Sequence, residues 1–338
     1  MKFKSIFLTG GAGYCGSRLT PQLLKLGYRV TVYDIMYFGH DFLPKSDPNL
    51  TIIEGDIRDT KKLKNACKGH DAFVNLACIS NDASFQLDEN LSTSVNLHAF
   101  KPMVIAAKEN GIKRFVYASS SSVYGVSDKP NVTEDHPLVP LTLYNKYKGL
   151  CEPILKSYTD NNFEGVIFRP ATVCGYAPRQ RFDVSVNILT NHAVNKNRIT
   201  LFGGDQLRPN LHIQDYCDLV KLLLVAPKEK IQNEVFNVGY ENMTIKDIAQ
   251  VVKKVVQSEY AEKKNIEIVT EPSDDNRSYH INSDKIKKVL GFVAKNSVEF
   301  AVKELCQYFK KKLLPKSFED DFYFNVKRLK RINAKWKK

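Results

Sequence analysis

The chain has 338 residues, 43% of them hydrophobic, so it can bury a large core in one large domain or two smaller ones. No apolar run approaches the roughly 18 residues of a membrane span, and Ile6-Phe7-Leu8 is too short for the apolar core of a signal peptide. Its net charge of +13 gathers near the C-terminus, and its seven scattered cysteines and seven unclustered histidines predict a cytoplasmic, metal-free protein with reduced thiols.

The first half of the chain alternates short apolar runs with stretches of helix length. Helices are predicted over 15–27 and 91–111, and the second ends at Gly111, a common helix stop. Strands separated by helices in this way predict a parallel sheet with helices on both faces, which is a Rossmann-type doubly wound α/β fold. The predicted strands are 5–10, 28–34, 50–56, 71–77, 114–120 and 164–170.

After about residue 170 the alternation becomes less regular, which predicts a smaller mixed α/β lobe. The apolar spacing of 244–260 is that of an amphipathic helix, with Thr244 as its N-cap. Helices are also predicted over 179–196 and 215–227, two short strands around a glycine turn over 198–213, and a strand over 234–239.

Residues 313–338 form a basic C-terminal extension. From Lys310 to Lys338 the chain has eleven Lys or Arg and three acidic residues, which gives +8 of the total +13. A solvated terminal helix is the expected structure, and contact of the basic and aromatic residues with acidic lipid or nucleic acid is the alternative.

The segment "TGGAGYCGS" follows a predicted strand and opens a predicted helix. Gly11, Gly13 and Gly16 fit the spacing GxGxxG, and Gly10, Gly13 and Gly16 fit the wider spacing GxxGxxG. Such glycines let a pyrophosphate approach the backbone at the positive end of a helix. Asp34 ends the next strand, where its carboxylate is expected to bind the adenosine ribose and to repel a 2′-phosphate, so NAD is favoured over NADP. The predicted NAD-binding residues are Gly10, Gly13, Tyr14, Cys15, Gly16, Asp34, Asp56, Ile57, Leu76, Ala77 and Lys148.

Tyr144 and Lys148 in "YNKYKG" are four residues apart and therefore lie on one face of a helix. A tyrosine is protonated at neutral pH, but a neighbouring ammonium and the positive nicotinamide favour the phenolate. Tyr144 is therefore predicted to be the general base toward a sugar or alcohol hydroxyl, and the general acid in reverse.

With these residues the chain resembles an extended short-chain dehydrogenase/reductase of the nucleotide-sugar epimerase/dehydratase family. The resemblance covers residues 4 to 312 and implies an NAD-binding Rossmann domain, 1–170 with a returning segment near 209–240. It also implies a substrate-binding lobe made of 171–208 and 241–312. The matching segments are "TGGAGYCGS", "YDIMYFG", "EGDIRD", "VNLACIS", "YASSSSVYG", "YNKYK", "RPATVCGY" and "FGGDQLRPNLHIQD".

The resemblance also identifies which serine of "ASSSSVYG" reacts. The family places the serine partner of its tyrosine four residues before the tyrosine of "VYG", here Tyr124, which gives Ser120. Ser120 is then expected to bind the reacting hydroxyl and to assist Tyr144. Dehydratases of the family have Asp and Glu at the next two positions, where this chain has Ser121 and Ser122. Because serine cannot replace a carboxylate as general base at neutral pH, 4,6-dehydration is disfavoured.

Guanidinium groups suit the diphosphate of a nucleotide sugar. Arg208 and Arg277 match the arginines that the family uses for it, and Arg179 is a further candidate. Thr172 departs from the family pattern, which has Asn at that position. The segment "SNDASFQLD" (80–88) is a polar loop that is expected to face the sugar. The residues predicted to bind the substrate are Ser121, Ser122, Thr172, Arg181, Arg208 and Arg277.

Together these features predict an NAD-dependent nucleotide-sugar epimerase that acts through a transient 4-keto sugar in surface polysaccharide sugar biosynthesis, with Ser120, Tyr144 and Lys148 as catalytic residues. One alternative is a reductase of a nucleotide 4-keto-sugar with the same residues, and another is a non-catalytic relative that binds NAD or RNA. The predicted partner is a nucleotide-diphosphate sugar, without nucleic acid or membrane insertion. The resemblance also implies a homodimer formed through helices around 91–111 and 141–161.

Overall fold

The computed structural model describes residues 3–127, 131–272, 278 and 280–335. Every strand predicted in the first half is present, in most cases one or two residues shorter than the apolar run that indicated it. In chain order, the strands are β1 (Ser5–Thr9), β2 (Arg29–Asp34), β3 (Leu50–Glu54), β4 (Ala72–Asn75), β5 (Arg114–Ala118), β6 (Glu164–Pro170), β7 (Thr172–Cys174), β8 (Arg198–Phe202), β9 (Leu207–His212), β10 (Val235–Val238), β11 (Glu241–Thr244) and β12 (Glu267–Glu271).

The helices include the amphipathic helix predicted after Thr244, whose hydroxyl caps it by accepting the N–H of Asp247. The stretch 91–111, predicted as one helix, forms two helices joined by a π-helical segment, Ser94–His98. In order, the α-helices are α1 (Tyr14–Lys25), α2 (Thr60–Ala66), α3 (Asp82–Phe85), α4 (Glu89–Thr93), α5 (Phe100–Glu109), α6 (Leu143–Tyr158), α7 (Ser185–Lys196), α8 (Ile213–Val225), α9 (Lys228–Ile231), α10 (Ile245–Glu259), α11 (Asp284–Leu290), α12 (Val298–Lys310) and α13 (Asn325–Arg331).

The main sheet has seven strands in the order β10-β6-β5-β4-β1-β2-β3. All its neighbours pair in parallel, which confirms the predicted doubly wound fold. The strand order reverses between β1 and β4, and such a switch point opens a crevice at the carboxyl ends of the strands. Helices α1 and α8 cover one face through Leu19 and Leu223, and α2, α5 and α6 cover the other through residues such as Met103.

The smaller lobe contains a three-stranded sheet, β11-β9-β7, and a β8–β12 pair. The two strands predicted over 198–213 are present as β8 and β9, but they pair with different partners and not with each other. Helices α7, α10 and α12 enclose a core of the lobe that includes Val186, Val252 and Val302. Among the described helices, none has both the length and the apolar content needed to cross a bilayer.

The basic C-terminal extension is docked on the protein, whereas the sequence predicted a solvated helix. Leu314, Tyr323 and Leu329 are buried, and Tyr323 packs against Phe182 in a separate aromatic cluster. Periodicity could not predict this docking, because the apolar residues of the extension are few and are interspersed with lysines.

Candidate active site

A cavity of about 370 Å³ lies at the carboxyl ends of the main-sheet strands, at the switch point. It is lined by the loops that follow β1, β2, β3, β4, β5 and β6, and we call it the cleft. The structure brings all the predicted NAD-binding residues together here: Gly10, Gly13, Tyr14, Cys15, Gly16, Asp34, Asp56, Ile57, Leu76, Ala77 and Lys148 all line it.

The glycine loop leaves no room for side chains. Gly10 has φ +74°, and a Cβ there would lie 2.6 Å from the backbone nitrogen of Ala77. A Cβ on Gly16 would lie 2.3 Å from the carbonyl oxygen of Gly10. Gly13 is the N-cap of α1 and provides no side-chain cap, so the amide groups of the first turn face the cleft, where a phosphate can accept them.

Asp34 ends β2 with its carboxylate partly occupied. One oxygen accepts the N–H of Ala12 at 3.0 Å, and the other accepts the N–H of Met36 at 2.9 Å. The carboxylate keeps part of its accepting capacity, which suits ribose hydroxyls. Burial raises the pKa of the Asp34 carboxyl although these backbone hydrogen bonds oppose the shift. The glycine loop and Asp34 therefore fit a dinucleotide without a 2′-phosphate.

Asp56 lines the same half of the cleft but is bound by another side chain. Its carboxylate accepts Nε and Nη2 of Arg58, with Nε 2.9 Å from Oδ2. The Asp56 side chain is thereby directed to Arg58, whereas Ile57 presents an apolar surface to the cleft.

The three predicted catalytic residues line the other half of the cleft. Ser120 follows β5, and Tyr144 lies in the first turn of α6, one turn before Lys148. Lys148 is only 5% exposed, and its ammonium donates to the carbonyl oxygen of Ala118 at 2.8 Å. That bond fixes the Lys148 side chain across the gap between α6 and the end of β5.

The serines after β5 differ in their partners. Ser119 donates to Glu152 at 2.6 Å and is thereby directed into the protein interior. The Ser120 and Ser122 hydroxyl oxygens are 2.7 Å apart, and Ser122 donates to Oδ1 of Asn145 at 2.6 Å. Asn145 is fully buried, and its Nδ2 has no hydrogen-bond partner among the described residues.

The predicted substrate-binding residues are only partly brought together. Ser121, Ser122, Thr172 and Arg181 line the cleft, whereas Arg208, on β9, is outside its lining. Arg277 is outside the described residues. In the polar loop 80–88, Ser80, Asn81 and Asp82 line the cleft.

Arg181 lines the cleft and interacts electrostatically with Tyr144. Burial disfavours the Arg181 cation, but its ion pair with Asp183 outweighs this and raises the pKa of Arg181, to which the charge of Tyr144 also contributes. The interaction is mutual, so Arg181 favours the phenolate of Tyr144, as the ammonium of Lys148 is expected to do.

Other cleft residues had little or no signal in the sequence. Asn145 is next to Tyr144, Phe38 follows β2 in a loop, and Asn325 belongs to the basic extension. Asn145 stood within "YNKYK" and Phe38 within "YDIMYFG", but neither residue was predicted to line the site. Asn325 hydrogen-bonds to Asp183 across 142 residues of sequence, a contact that no local pattern encodes.

Comparison with known proteins places these features in a family context. The profile of the NAD dependent epimerase/dehydratase family matches residues 6–239. The chain is 27% identical over 312 residues to the low-salt glycan biosynthesis protein Agl12 of Haloferax volcanii, covering 90% of this chain and 98% of the relative. It is 25% identical over 311 residues to UDP-glucose 4-epimerase of Rhizobium meliloti, covering 86% and 93%.

Solved structures share the same architecture. UDP-glucose 4-epimerase of Thermotoga maritima, solved with UDP-glucose, matches with a TM-score of 0.81 at 23% identity, covering 91% of this chain and 99% of that one. At this level of identity the match shows the fold. The residues of the cleft then have to indicate the reaction.

Proposed function

The chain belongs to the NAD dependent epimerase/dehydratase family, and from this we propose that it is a nucleotide-sugar epimerase that inverts C4 through a transient 4-keto sugar. NAD is accordingly its cofactor. One observation carries the proposal: Ser120, Tyr144 and Lys148 line one cleft, while the two positions after Ser120 are serines. Dehydration requires a general acid and a general base there, which serine hydroxyls do not supply at neutral pH.

The chain's own residues move the proton. Tyr144, whose phenolate form the nearby cations favour, takes the proton of the C4 hydroxyl, and Ser120 donates a hydrogen bond to the same oxygen. NAD, when bound, supplies a reversible hydride acceptor. After the keto sugar has turned its other face, Tyr144 returns the proton to the oxygen at C4, and the product has the opposite configuration.

The paired serines determine which hydrogen-bonding role Ser120 offers to the sugar. Ser122 gives its single hydroxyl proton to Asn145, so Ser120 is the donor in the contact between the two hydroxyls. The backbone N–H of Ser122 also donates to Ser120, at 3.2 Å. In this arrangement Ser120 can offer the substrate only an acceptor site. Because the C4 hydroxyl gives its single proton to Tyr144, Ser120 has to donate to its oxygen, and we therefore assign this arrangement to the site without sugar.

The reverse arrangement suits the bound sugar, both as alcohol and as ketone. A half-turn of the Asn145 amide presents its unpartnered Nδ2 to Ser122, and the hydroxyl protons of both serines then turn round. Ser120 becomes a donor toward the oxygen at C4. Asn145 and Ser122 thus act as positioning residues behind Ser120.

Ser122→Ala is expected to lower kcat about tenfold, because it removes one hydrogen bond, worth about 1–1.5 kcal/mol, that orients Ser120. Steady-state kinetics, together with NAD content and thermal stability, measure the effect. Ser157→Ala is the matched control, since Ser157 is an exposed serine on α6 whose hydroxyl donates to the carbonyl oxygen of Ile154 within its own helix. Equal kcat values for the two variants would contradict the positioning role.

The proposed reaction is tested with a panel of nucleotide sugars in heavy water. The expected product is the C4 epimer without solvent deuterium, because the carbon-bound hydrogen returns to the carbon that it left. NAD should co-purify, and free NADH should not be consumed. Deuterium at the carbons next to the keto group would indicate 3- or 5-epimerisation, and consumption of NADH would indicate a 4-keto reductase; either result would refute the proposal.

We also propose that the product enters glycan synthesis. The proposal is supported by the Haloferax relative, a glycan biosynthesis protein that matches along 98% of its length. Epimers at C4 of a nucleotide sugar are activated donors, so a glycosyl transfer is the class of reaction that consumes them.

A further inference from the structure

Residues 313–335 cross the mouth of the cleft, and we call them the strap. The strap follows α12 and contains a 3₁₀ turn, Asp321–Tyr323, and helix α13. Its Tyr323 is buried and accepts the backbone N–H of Phe182 at 2.9 Å. Two of its arginines, Arg328 and Arg331, pair with Asp321, so part of its positive charge is balanced within the strap.

Asn325 attaches the strap to one rim of the cleft. Its backbone N–H donates to Asp183 at 3.0 Å, and its side-chain Nδ2 donates to Ser80 Oγ at 2.9 Å. Leu329 packs in a cluster with Ile79, from the loop after β4. Ser80, Ile79 and Asn325 all line the cleft, so these contacts form part of its wall.

Arg328 attaches the strap to the opposite rim, which is the loop after β2. Its Nε donates to the carbonyl oxygen of Tyr37 at 2.6 Å. The rings of Phe322 and Phe42 meet edge to face at 5.9 Å. Since this loop follows Asp34, the strap joins the adenosine side of the cleft to the loop after β4.

Arg179 is the cleft residue that the strap holds most directly. It is 2% exposed, its Nη2 donates to Oδ1 of Asn325 at 2.6 Å, and its guanidinium lies 3.5 Å from the centre of the Phe38 ring. Its backbone N–H donates to Ser17 in the first turns of α1. These contacts place Arg179 between the glycine loop and the loop after β2.

The Arg179 cation is incompletely compensated by the protein. Within the described part of the chain it forms no ion pair, and its buried Nε has no hydrogen-bond partner. Burial, reinforced by the neighbouring Arg181, lowers the pKa of Arg179 to about 9. A buried cation of this kind is stabilised by an anion, and the diphosphate of a dinucleotide is the anion that the glycine loop is built to receive.

We propose that the strap retains NAD, because Asn325 positions Arg179 toward the dinucleotide diphosphate. Asn325 is a positioning residue, and Arg179 is the group that meets the cofactor. The inference depends on NAD binding and not on which sugar carbon reacts, so it can fail while the epimerase assignment stands.

The test measures NAD release from the full-length holoprotein. Free nucleotide is removed rapidly, and the NAD that remains bound is assayed enzymatically over time. Asn325→Ala is expected to release NAD about tenfold faster, equivalent to about 1.4 kcal/mol. Lys330→Ala, an exposed change on the same helix, is the matched control and should release NAD at the wild-type rate. The thermal stability of the NAD-free proteins reports any general structural effect.

A double-variant cycle separates positioning from a general loosening. Arg179→Gln should also speed release, and Arg179→Gln/Asn325→Ala should release NAD no faster than Arg179→Gln alone, since Asn325 acts through Arg179. The proposal would be overturned if Asn325→Ala sped NAD release by the same factor with and without Arg179→Gln. It would also be overturned if Asn325→Ala released NAD at the wild-type rate. Wild-type protein that binds no NAD would overturn the cofactor assignment as well, so the two failures are distinguishable.

Discussion

Tyr144→Phe is expected to lower the rate of epimerisation by about 10²- to 10⁴-fold, the range for loss of a general acid–base catalyst. The phenyl ring keeps the volume of the side chain, but the group that takes and returns the proton is gone. NAD content should be unchanged, because the glycine loop and Asp34 are untouched. Product formation from the active nucleotide sugar, with NAD measured in the same preparation, checks both expectations.

Tyr147→Phe is the matched control for this change. Tyr147 lies on α6 three residues later, and its ring packs near Phe85 instead of lining the cleft. Its variant should turn over at the wild-type rate. If Tyr144→Phe kept full activity, the proton would have to be moved by another group, and the catalytic assignment would be wrong.

Arg169→Met is expected to lower the free energy of unfolding by about 3–5 kcal/mol, because it leaves a buried carboxylate without its partner. Arg169 and Glu152 are each 4% exposed, and they form a bidentate pair at 2.9 and 2.6 Å. Glu152 outweighs the effect of burial and raises the pKa of Arg169. Urea denaturation of the NAD-free protein measures the loss.

Two further variants show whether the buried pair causes that loss. Lys64→Met breaks the half-exposed pair between Lys64 and Glu109, and it should cost at most about 1 kcal/mol. Arg169→Met/Glu152→Met should recover most of the lost stability, because apolar side chains of similar size can replace a buried pair. If Arg169→Met cost no more than Lys64→Met, the pair would not stabilise the fold.

Local patterns in the sequence predicted most of the main sheet and the cofactor half of the cleft. Strands such as β1 and β2 are visible in the sequence as short apolar runs. The glycine loop directly follows β1, and Asp34 is the last residue of β2. These features lie close together in sequence, and parallel pairing brings the carboxyl ends of the strands to one edge. The fold and the positions of the predicted cofactor-binding residues therefore follow from short-range information.

The lobe and the strap depend on contacts between distant residues, which the sequence did not predict. The helix expected over 179–196 begins only at Ser185, because residues 179–183 make cleft contacts in place of helical ones. Arg208 matches a family motif, but it lies on β9 outside the lining of the cleft. Its role toward a diphosphate stays a prediction, as does that of Arg277.

The buried pair of Arg169 and Glu152 has a consequence for how substrate preference can change. Glu152 also accepts the hydroxyl of Ser119, the neighbour of Ser120, and it follows Lys148 by one turn of α6. The wall that carries Ser120, Tyr144 and Lys148 is therefore tied to a pair whose two partners cannot be replaced one at a time, and it tolerates few single substitutions. New sugar preferences must arise on the opposite wall, where loops and the strap, instead of paired strands, surround the ligand.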